Sequence, residues 1–265
     1  MKRFSSPILV LAIFLAGCSS PSSPAPTAAL VELTVAAAAD LQFAFTEIGT
    51  LYEKETGNKV TFSFGSTGQL AQQIENGAPF DLFAAADKSY VDDLAKKNMV
   101  LPDSIALYAR GRIVLAVNRQ SGVKATTFQD LLSDKITHIA IANPQHAPYG
   151  IAAQQALQAA GVWDQIQSKI VYGENVTQTL QFIQTGDAQA GIVFLSVANV
   201  PEITWTLIDS SLHAPLDQEL AVISSSKNQD VAREFAAFIN GKSGRPIMQK
   251  YGFVLPGEPV LTPTP

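Results

Sequence analysis

Short apolar runs alternate with segments of helical periodicity along most of the chain. The apolar runs predict strands at 33–38, 60–64, 81–85, 113–117, 138–142, 170–172 and 191–194. The intervening and final segments predict helices at 41–55, 69–75, 90–97, 128–132, 151–160, 177–185, 230–240 and 244–251. Because strand–helix alternation is typical of βαβ units, the predicted fold class is α/β with mostly parallel sheets. In open sheets of this class, ligands bind at the carboxyl ends of the strands.

The amino terminus has the layout of an export signal. It has a basic start at Lys2 and Arg3, an apolar run at 8–17, and Cys18 directly after Leu-Ala-Gly. The apolar run is too short to span a bilayer, which takes about 20 residues. Its end resembles the bacterial lipobox, which implies a lipoprotein signal peptide at 1–17 and a lipid on Cys18. The alternative is an ordinary secretory signal with an incidental cysteine.

Composition limits the function once the signal is removed. Loss of Lys2 and Arg3 leaves 16 basic and 23 acidic residues, a net charge of −7 with no basic stretch for nucleic acid. The globular part has no cysteine and therefore neither disulfides nor thiol chemistry. The Ser/Pro/Ala segment 18–30 is expected to be a disordered tether, and the Pro-rich segment 257–265 a disordered tail.

Signals of an enzyme are missing from the sequence. The three histidines, His138, His146 and His213, have no metal-ligand spacing, and no Gly-x-Ser-x-Gly motif is present. We therefore expect no catalytic residue, no cofactor and no site for a metal cation. An enzyme acting on an oxyanion remains the alternative from another functional class.

Four strand–helix turns suit an anion. They are at 38–41, 65–68, 147–150 and 173–176. The first turn of a helix has N–H groups without intrahelical acceptors, and the helix dipole favours negative charge there. Several such helix ends together could bind an anion without Arg or Lys. Taken singly, Asp40, Thr67 and Asn175 are better explained as N-caps than as ligand contacts. The second turn lacks the lysine of a phosphate-binding P-loop.

The order and spacing of several motifs, from about residue 33 to residue 256, resemble those of molybdate-binding proteins of ABC importers. The matching segments are TVAAAADL (34–41), SFGSTG (63–68), NGAPFDLF (76–83), AAD (85–87), ANPQHAPYG (142–150), GENV (173–176), GIVF (191–194) and KYGF (250–253). The resemblance implies a two-lobed periplasmic-binding-protein fold with the ligand in the cleft between the lobes. Lobe I would comprise 31–112 and 223–256, and lobe II 113–222.

The resemblance also implies partners and a location. The protein would bind molybdate, and tungstate with it, and would deliver the oxyanion to a membrane permease driven by an ATPase. It would act as a monomer outside the cytoplasmic membrane, in the periplasm or on the outer face of that membrane. Its only contact with lipid would be through Cys18.

The family's ligand contacts can be placed on this sequence. They fall on Ala39, Asp40, Thr67, Tyr149 and Val176. Neighbouring support is expected from Ser66, Gly68, Gly150, Asn175 and Phe194.

Two positions depart from the family. Asp40 stands where many members have Ser and others Asn, and Phe194 where a tyrosine is common. Because a carboxylate repels an oxyanion, we expect Asp40 either to cap its own helix or to be protonated in the complex. The Tyr149 hydroxyl would replace the donor missing at Phe194. Asp40 could also accept a proton carried by the ligand, which makes phosphate the alternative ligand.

Overall fold

A computed structural model describes residues 30–259 of the protein. The strands are β1 Glu32–Ala38, β2 Lys59–Gly65, β3 Leu82–Ala84, β4 Ala106–Arg110, β5 Ile113–Asn118, β6 Ile139–Ala142, β7 Ile170–Gly173, β8 Ala190–Phe194, β9 Ile203–Leu207 and β10 Asp217–Val222. The helices are α1 Gln42–Thr56, α2 Thr67–Glu75, α3 Lys88–Lys96, α4 Pro148–Ala159, α5 Trp163–Ile166, α6 Val176–Thr185, α7 Gln229–Ile239 and α8 Gly244–Lys250. The predicted signal peptide with Cys18, nearly all of the tether and most of the tail lie outside the described residues.

The strands form two five-stranded sheets, each flanked by helices. The first sheet has the order β2–β1–β3–β10–β4 and forms lobe I, and the second has the order β7–β6–β8–β5–β9 and forms lobe II. In each sheet two neighbouring pairs are parallel and two are antiparallel. The predicted α/β two-lobed fold is confirmed, but the sheets are mixed rather than mostly parallel.

Three antiparallel strands, β4, β9 and β10, were not among the predicted strands. Strands β9 and β10 carry polar residues on partly exposed faces, which interrupt the apolar pattern, whereas the apolar run at 105–109 that forms most of β4 was overlooked. The predicted helix at 128–132 is a short 3-10 turn, Gln129–Leu132.

The predicted position at which the chain returns to lobe I, after residue 222, is wrong. The chain leaves lobe I between β4 and β5, near Arg112, as expected. It returns before Asp217 rather than after Val222, because β10 pairs with β3 and β4 of the first sheet. Lobe I therefore includes 217–222, and one of its central strands comes from the returning chain.

Each lobe has an apolar interior that fixes the helices on the sheet. In lobe I, the buried rings of Phe45, Tyr52 and Phe235 join α1 to α7, with the last two centroids 5.0 Å apart. In lobe II, α4 presents small buried residues such as Ala152 and Ala153 to the sheet, which allows a close approach. Among residues 30–259, no helix combines the length and apolar character needed to cross a membrane.

The strand register places the ends of β1 and β2 side by side in lobe I, and those of β6 and β7 in lobe II. The last residue of β1, Ala38, pairs with Gly65 at the end of β2. In lobe II, Ala142 at the end of β6 pairs with Gly173 at the end of β7. All four strands belong to parallel pairs, so each lobe brings two strand–helix junctions to one edge of its sheet.

Candidate functional site

Two strand–helix junctions from each lobe enclose a small cavity between the lobes. Its volume is about 10 Å³, which is close to the lower limit for holding a single small species. Seven of the residues predicted from the family resemblance line it, namely Ala39, Asp40, Ser66, Thr67, Tyr149, Asn175 and Val176. The cavity therefore lies where the sequence predicted a ligand, and its size excludes sugars and amino acids in this closed arrangement.

Helix starts surround the cavity. Helices α2, α4 and α6 begin at Thr67, Pro148 and Val176, and a 3-10 turn at Ala39–Leu41 leads into α1. Each start contributes N–H groups that have no acceptor within the helix. No Lys, Arg or His side chain is among the residues that line the cavity. Positive potential in the site therefore comes from helix ends alone.

The start of α6 shows how one N–H group is left for a ligand. The Oδ1 atom of Asn175 accepts the N–H groups of Thr177 and Gln178 at 3.0 and 3.1 Å. Asn175 is therefore the N-cap, as its residue type suggested. Val176, the first residue of the helix, lines the cavity, and this cap does not use its N–H group.

Thr67 supplies a hydroxyl at the start of α2. It is buried, and its Oγ1 atom accepts the N–H of Ala86 at 3.1 Å. A hydroxyl that accepts one hydrogen bond still has its own proton to donate. Thr67 can therefore donate to a ligand through both its N–H and its O–H.

Asp40 is fully buried and is joined to both lobes. Its Oδ2 atom accepts the hydroxyl of Tyr149 at 2.7 Å and Nε2 of Gln218 at 3.0 Å. Gln218 Nε2 also contacts the Tyr149 oxygen. The backbone oxygen of Asp40 accepts the Ser196 hydroxyl at 2.6 Å. The Oδ1 atom is buried and has no hydrogen-bond partner.

This environment bears on the two roles expected of Asp40. Its side chain caps neither the 3-10 turn nor α1, so the capping alternative is wrong. Burial raises the pKa of Asp40 from 3.8 to about 6, although the hydrogen bonds from Tyr149 and Gln218 oppose the rise. The Asp40 carboxyl group therefore keeps its proton to a higher pH than the carboxyl group of a solvated aspartate.

Tyr149 differs from its expected role. Its hydroxyl donates to Asp40 across the lobe interface rather than standing free for a ligand. Burial raises the pKa of Tyr149 well above its usual value, so the hydroxyl stays protonated. The ring of Tyr149 packs on buried Phe194 with centroids 4.1 Å apart. Tyr149 therefore lines the cavity near the start of α4, while its side chain bonds Asp40.

The remaining predicted residues lie behind the cavity. A Cβ atom on Gly150 would lie 2.2 Å from the Ala142 oxygen, so only glycine lets α4 approach β6 this closely. Gly68 donates its N–H to the His146 oxygen in the other lobe at 3.0 Å. The Gly68 N–H group therefore links the two lobes in the closed form.

Several direct bonds hold the lobes together around the cavity. The Ser66 hydroxyl lies 2.5 Å from the His146 oxygen and 2.9 Å from its Nδ1 atom. Gln69 Nε2 donates to Glu174 at 2.8 Å. These bonds, with the one between Tyr149 and Asp40, identify a closed conformation.

Sequence reasoning missed two residues of the site. Gln218 lies in β10, which was not recognised as a strand, so its alternation between buried and exposed positions could not be read. Ser196 lies just after β8 and binds a backbone oxygen, a contact without a sequence signal. Within the described part of the chain, no group of His, Cys, Asp and Glu could hold a metal ion.

Comparisons with known proteins identify the family of the chain. The family model for bacterial extracellular solute-binding proteins matches residues 33–254. The molybdate-binding protein ModA of Azotobacter vinelandii is 34% identical over 229 residues, covering 84% of this chain and 90% of the relative. A Bacillus subtilis protein with the provisional name of ABC transporter substrate-binding lipoprotein is 34% identical over 264 residues, covering 95% and 98%.

A solved structure of the periplasmic molybdate-binding protein of Azotobacter vinelandii superposes with a TM-score of 0.79 at 30% identity. The match covers 84% of this chain and 99% of that one. The resemblance seen in the motifs is confirmed, and these relatives are binding proteins, not enzymes. The chain belongs to the bacterial extracellular solute-binding proteins.

Proposed function

We propose that the protein is an extracytoplasmic receptor for molybdate, and with it tungstate, which it delivers to the permease and ATPase of an ABC importer. The observation that carries this proposal is the small cavity surrounded by helix starts and a buried hydroxyl, with no basic side chain in its lining. Such donors suit an oxyanion. The similarity to molybdate-binding proteins over most of the chain supports the choice of ligand.

Ligand contacts are assigned to the residues at the helix starts. Backbone N–H groups of Ala39, Asp40, Tyr149 and Val176, with the Thr67 hydroxyl, would surround the oxygens of a tetrahedral anion. Hydrogen bonds to a charged acceptor are stronger than neutral ones, and exclusion of water strengthens them further. Tungstate matches molybdate in charge and nearly in size, so fixed donors cannot readily reject it.

Closure is the step that completes the site. Ser66, Gly68 and Gln69 of lobe I bind lobe II through His146 and Glu174. Because donors from both lobes line the cavity, an anion would favour the closed form over the open one. One chain supplies every donor, so the receptor would act as a monomer.

The proposal is tested by calorimetric titration of soluble protein lacking residues 1–27. Molybdate, tungstate, sulfate and phosphate are titrated in turn. We expect tight binding of molybdate and tungstate and no heat from the other two, since donors spaced for molybdate would fit the smaller sulfate only loosely. Binding of phosphate alone would mean that Asp40 accepts a proton from the ligand and that molybdate is not the cargo. Failure of all four would overturn the oxyanion receptor.

A lipid on Cys18 would hold the receptor at the membrane. The provisional description of the Bacillus subtilis relative as a lipoprotein, with a match over 95% of this chain, supports this location. We expect that Cys18→Ala moves the protein from the membrane fraction to the soluble extracytoplasmic fraction, measured by fractionation and immunoblotting. Molybdate binding by the released protein should be unchanged. A variant that still sediments with membranes would contradict the lipid anchor.

A further inference from the structure

The Asp40 carboxyl group has two unlike oxygens. Oδ2 accepts hydrogen bonds from Tyr149 and Gln218, whereas Oδ1 is equally buried and has no partner. Asp40 also lines the cavity. In a protonated carboxyl group one oxygen is an acceptor and the other carries the O–H donor. The bonding of Asp40 therefore matches the protonated form, with Oδ2 as the acceptor and Oδ1 free to donate.

Among residues 30–259, no cationic side chain pairs with this carboxyl group to balance its charge. Its titratable neighbours are Tyr149 on α4 and Tyr108 on β4, both buried, and Asp87 lies beyond them at the start of α3. Gln218 on β10 is neutral. The ring of His146, on the loop before α4, bonds instead to Ser66.

The other elements packed on the Ala39–Leu41 turn bring no counter-charge either. Helix α6 and the turn at 195–197 have no titratable residue. The first titratable residue of α1 is Glu47, which pairs with Lys250 on the outer surface at 2.7 Å. Lys59 lies at the opposite end of β2 from the cavity. An ionised Asp40 would thus face a bound anion with no compensating charge.

We propose that Asp40 binds the anion as a neutral carboxylic acid that donates its Oδ1 proton to an anion oxygen, so that one proton is taken up with each dianion. This inference rests on the proposed function. Repulsion between a carboxylate and a dianion is severe where water is excluded, whereas an acid O–H donates a hydrogen bond to an anion oxygen as a hydroxyl does. Burial already raises the pKa of Asp40 to about 6, and an adjacent anion raises it further.

The test counts protons during binding. Molybdate is titrated calorimetrically in buffers of different ionisation enthalpy, from about pH 7 to about pH 9, where the free carboxyl is ionised. We expect uptake of about one proton per molybdate and about tenfold weaker binding per pH unit. In Asp40→Asn the amide N–H replaces the acid O–H, so proton uptake and the pH dependence should both vanish.

Asp87→Asn is the matched control, because Asp87 is a nearby carboxylate that caps α3 and does not line the cavity. It should keep the proton uptake and the pH dependence of the wild type. Molybdate binding by the wild type without proton uptake would overturn the role of Asp40 while leaving the receptor intact. Proton uptake that persists in Asp40→Asn would overturn it too. Absence of molybdate binding at every pH would instead overturn the proposed function.

Discussion

Replacing Val176 by proline is expected to weaken molybdate binding by roughly 10- to 150-fold, because it removes one N–H group from the site. A hydrogen bond to a charged group contributes about 1.5–3 kcal/mol. Val176 is the first residue of α6, where proline is well tolerated. Asn175 before it is extended, with φ −156° and ψ 178°, which suits a residue preceding proline. Pro148 already occupies the equivalent position in α4.

Val176→Ala is the control for this substitution. It keeps the N–H group and loses methyl groups from a side chain that is only 2% exposed. Calorimetric affinities and thermal melts of both variants separate the lost donor from lost packing. The alanine variant should melt lower than the wild type yet bind molybdate nearly as tightly. Equal affinity of the proline variant and the wild type would show that the Val176 N–H is not a ligand contact.

The helix starts could be predicted from the sequence because their signals are local. Apolar strands followed by Asp, Gly, Ser, Thr or Asn mark the junctions at 38–41, 65–68 and 173–176. Parallel pairing then brings the ends of neighbouring strands together at one edge of a sheet. This reasoning places the junctions, and the resemblance carried by the motifs assigns Ala39, Thr67 and Val176 to ligand contact within them.

The environment of Asp40 could not be predicted in this way. Its partner Gln218 is 178 residues distant in sequence and lies in a strand with mixed polar and apolar residues. The bond to Tyr149 forms only when the lobes close, so it depends on tertiary geometry that no local pattern carries. An aspartate before a helix indicates a cap on average, and here burial between the lobes overrides that preference.

Asp40→Asn should reverse part of the pH dependence of stability. The folded-state pKa of Asp40, about 6, is raised above the ordinary value of 3.8 by burial. The stability contributed by the bound proton is therefore complete below about pH 4 and is lost as pH rises through about 6. This difference between the folded and the ordinary pKa of Asp40 corresponds to up to about 3 kcal/mol in the free energy of unfolding. Relative to the wild type, the Asn variant should gain up to that amount between about pH 4 and pH 7.

Urea unfolding of the ligand-free proteins at both pH values measures this gain. Asp130→Asn is a control of opposite sign, because hydrogen bonds from the Thr126 and Thr127 backbone lower the pKa of Asp130. Because the stability linked to a lowered pKa is lost as pH falls below about 4, that variant should be less stable than the wild type by nearly the same amount at both pH values. An Asp40→Asn difference that is equal at both pH values would show that the carboxyl group is not shifted in the native protein.

The same ionisation bears on the empty receptor. Opening the lobes breaks the bond between Tyr149 and Asp40 and lets water reach the carboxylate, which relieves the desolvation that raises its pKa. At neutral pH an ionised Asp40 therefore disfavours closure without a ligand, and a proton arriving with the anion removes that penalty. We therefore expect the lobes of the ligand-free Asp40→Asn variant to close more readily than those of the ligand-free wild type. Small-angle scattering of the ligand-free variant should give a smaller radius of gyration than the wild type at neutral pH, and an equal one at about pH 4.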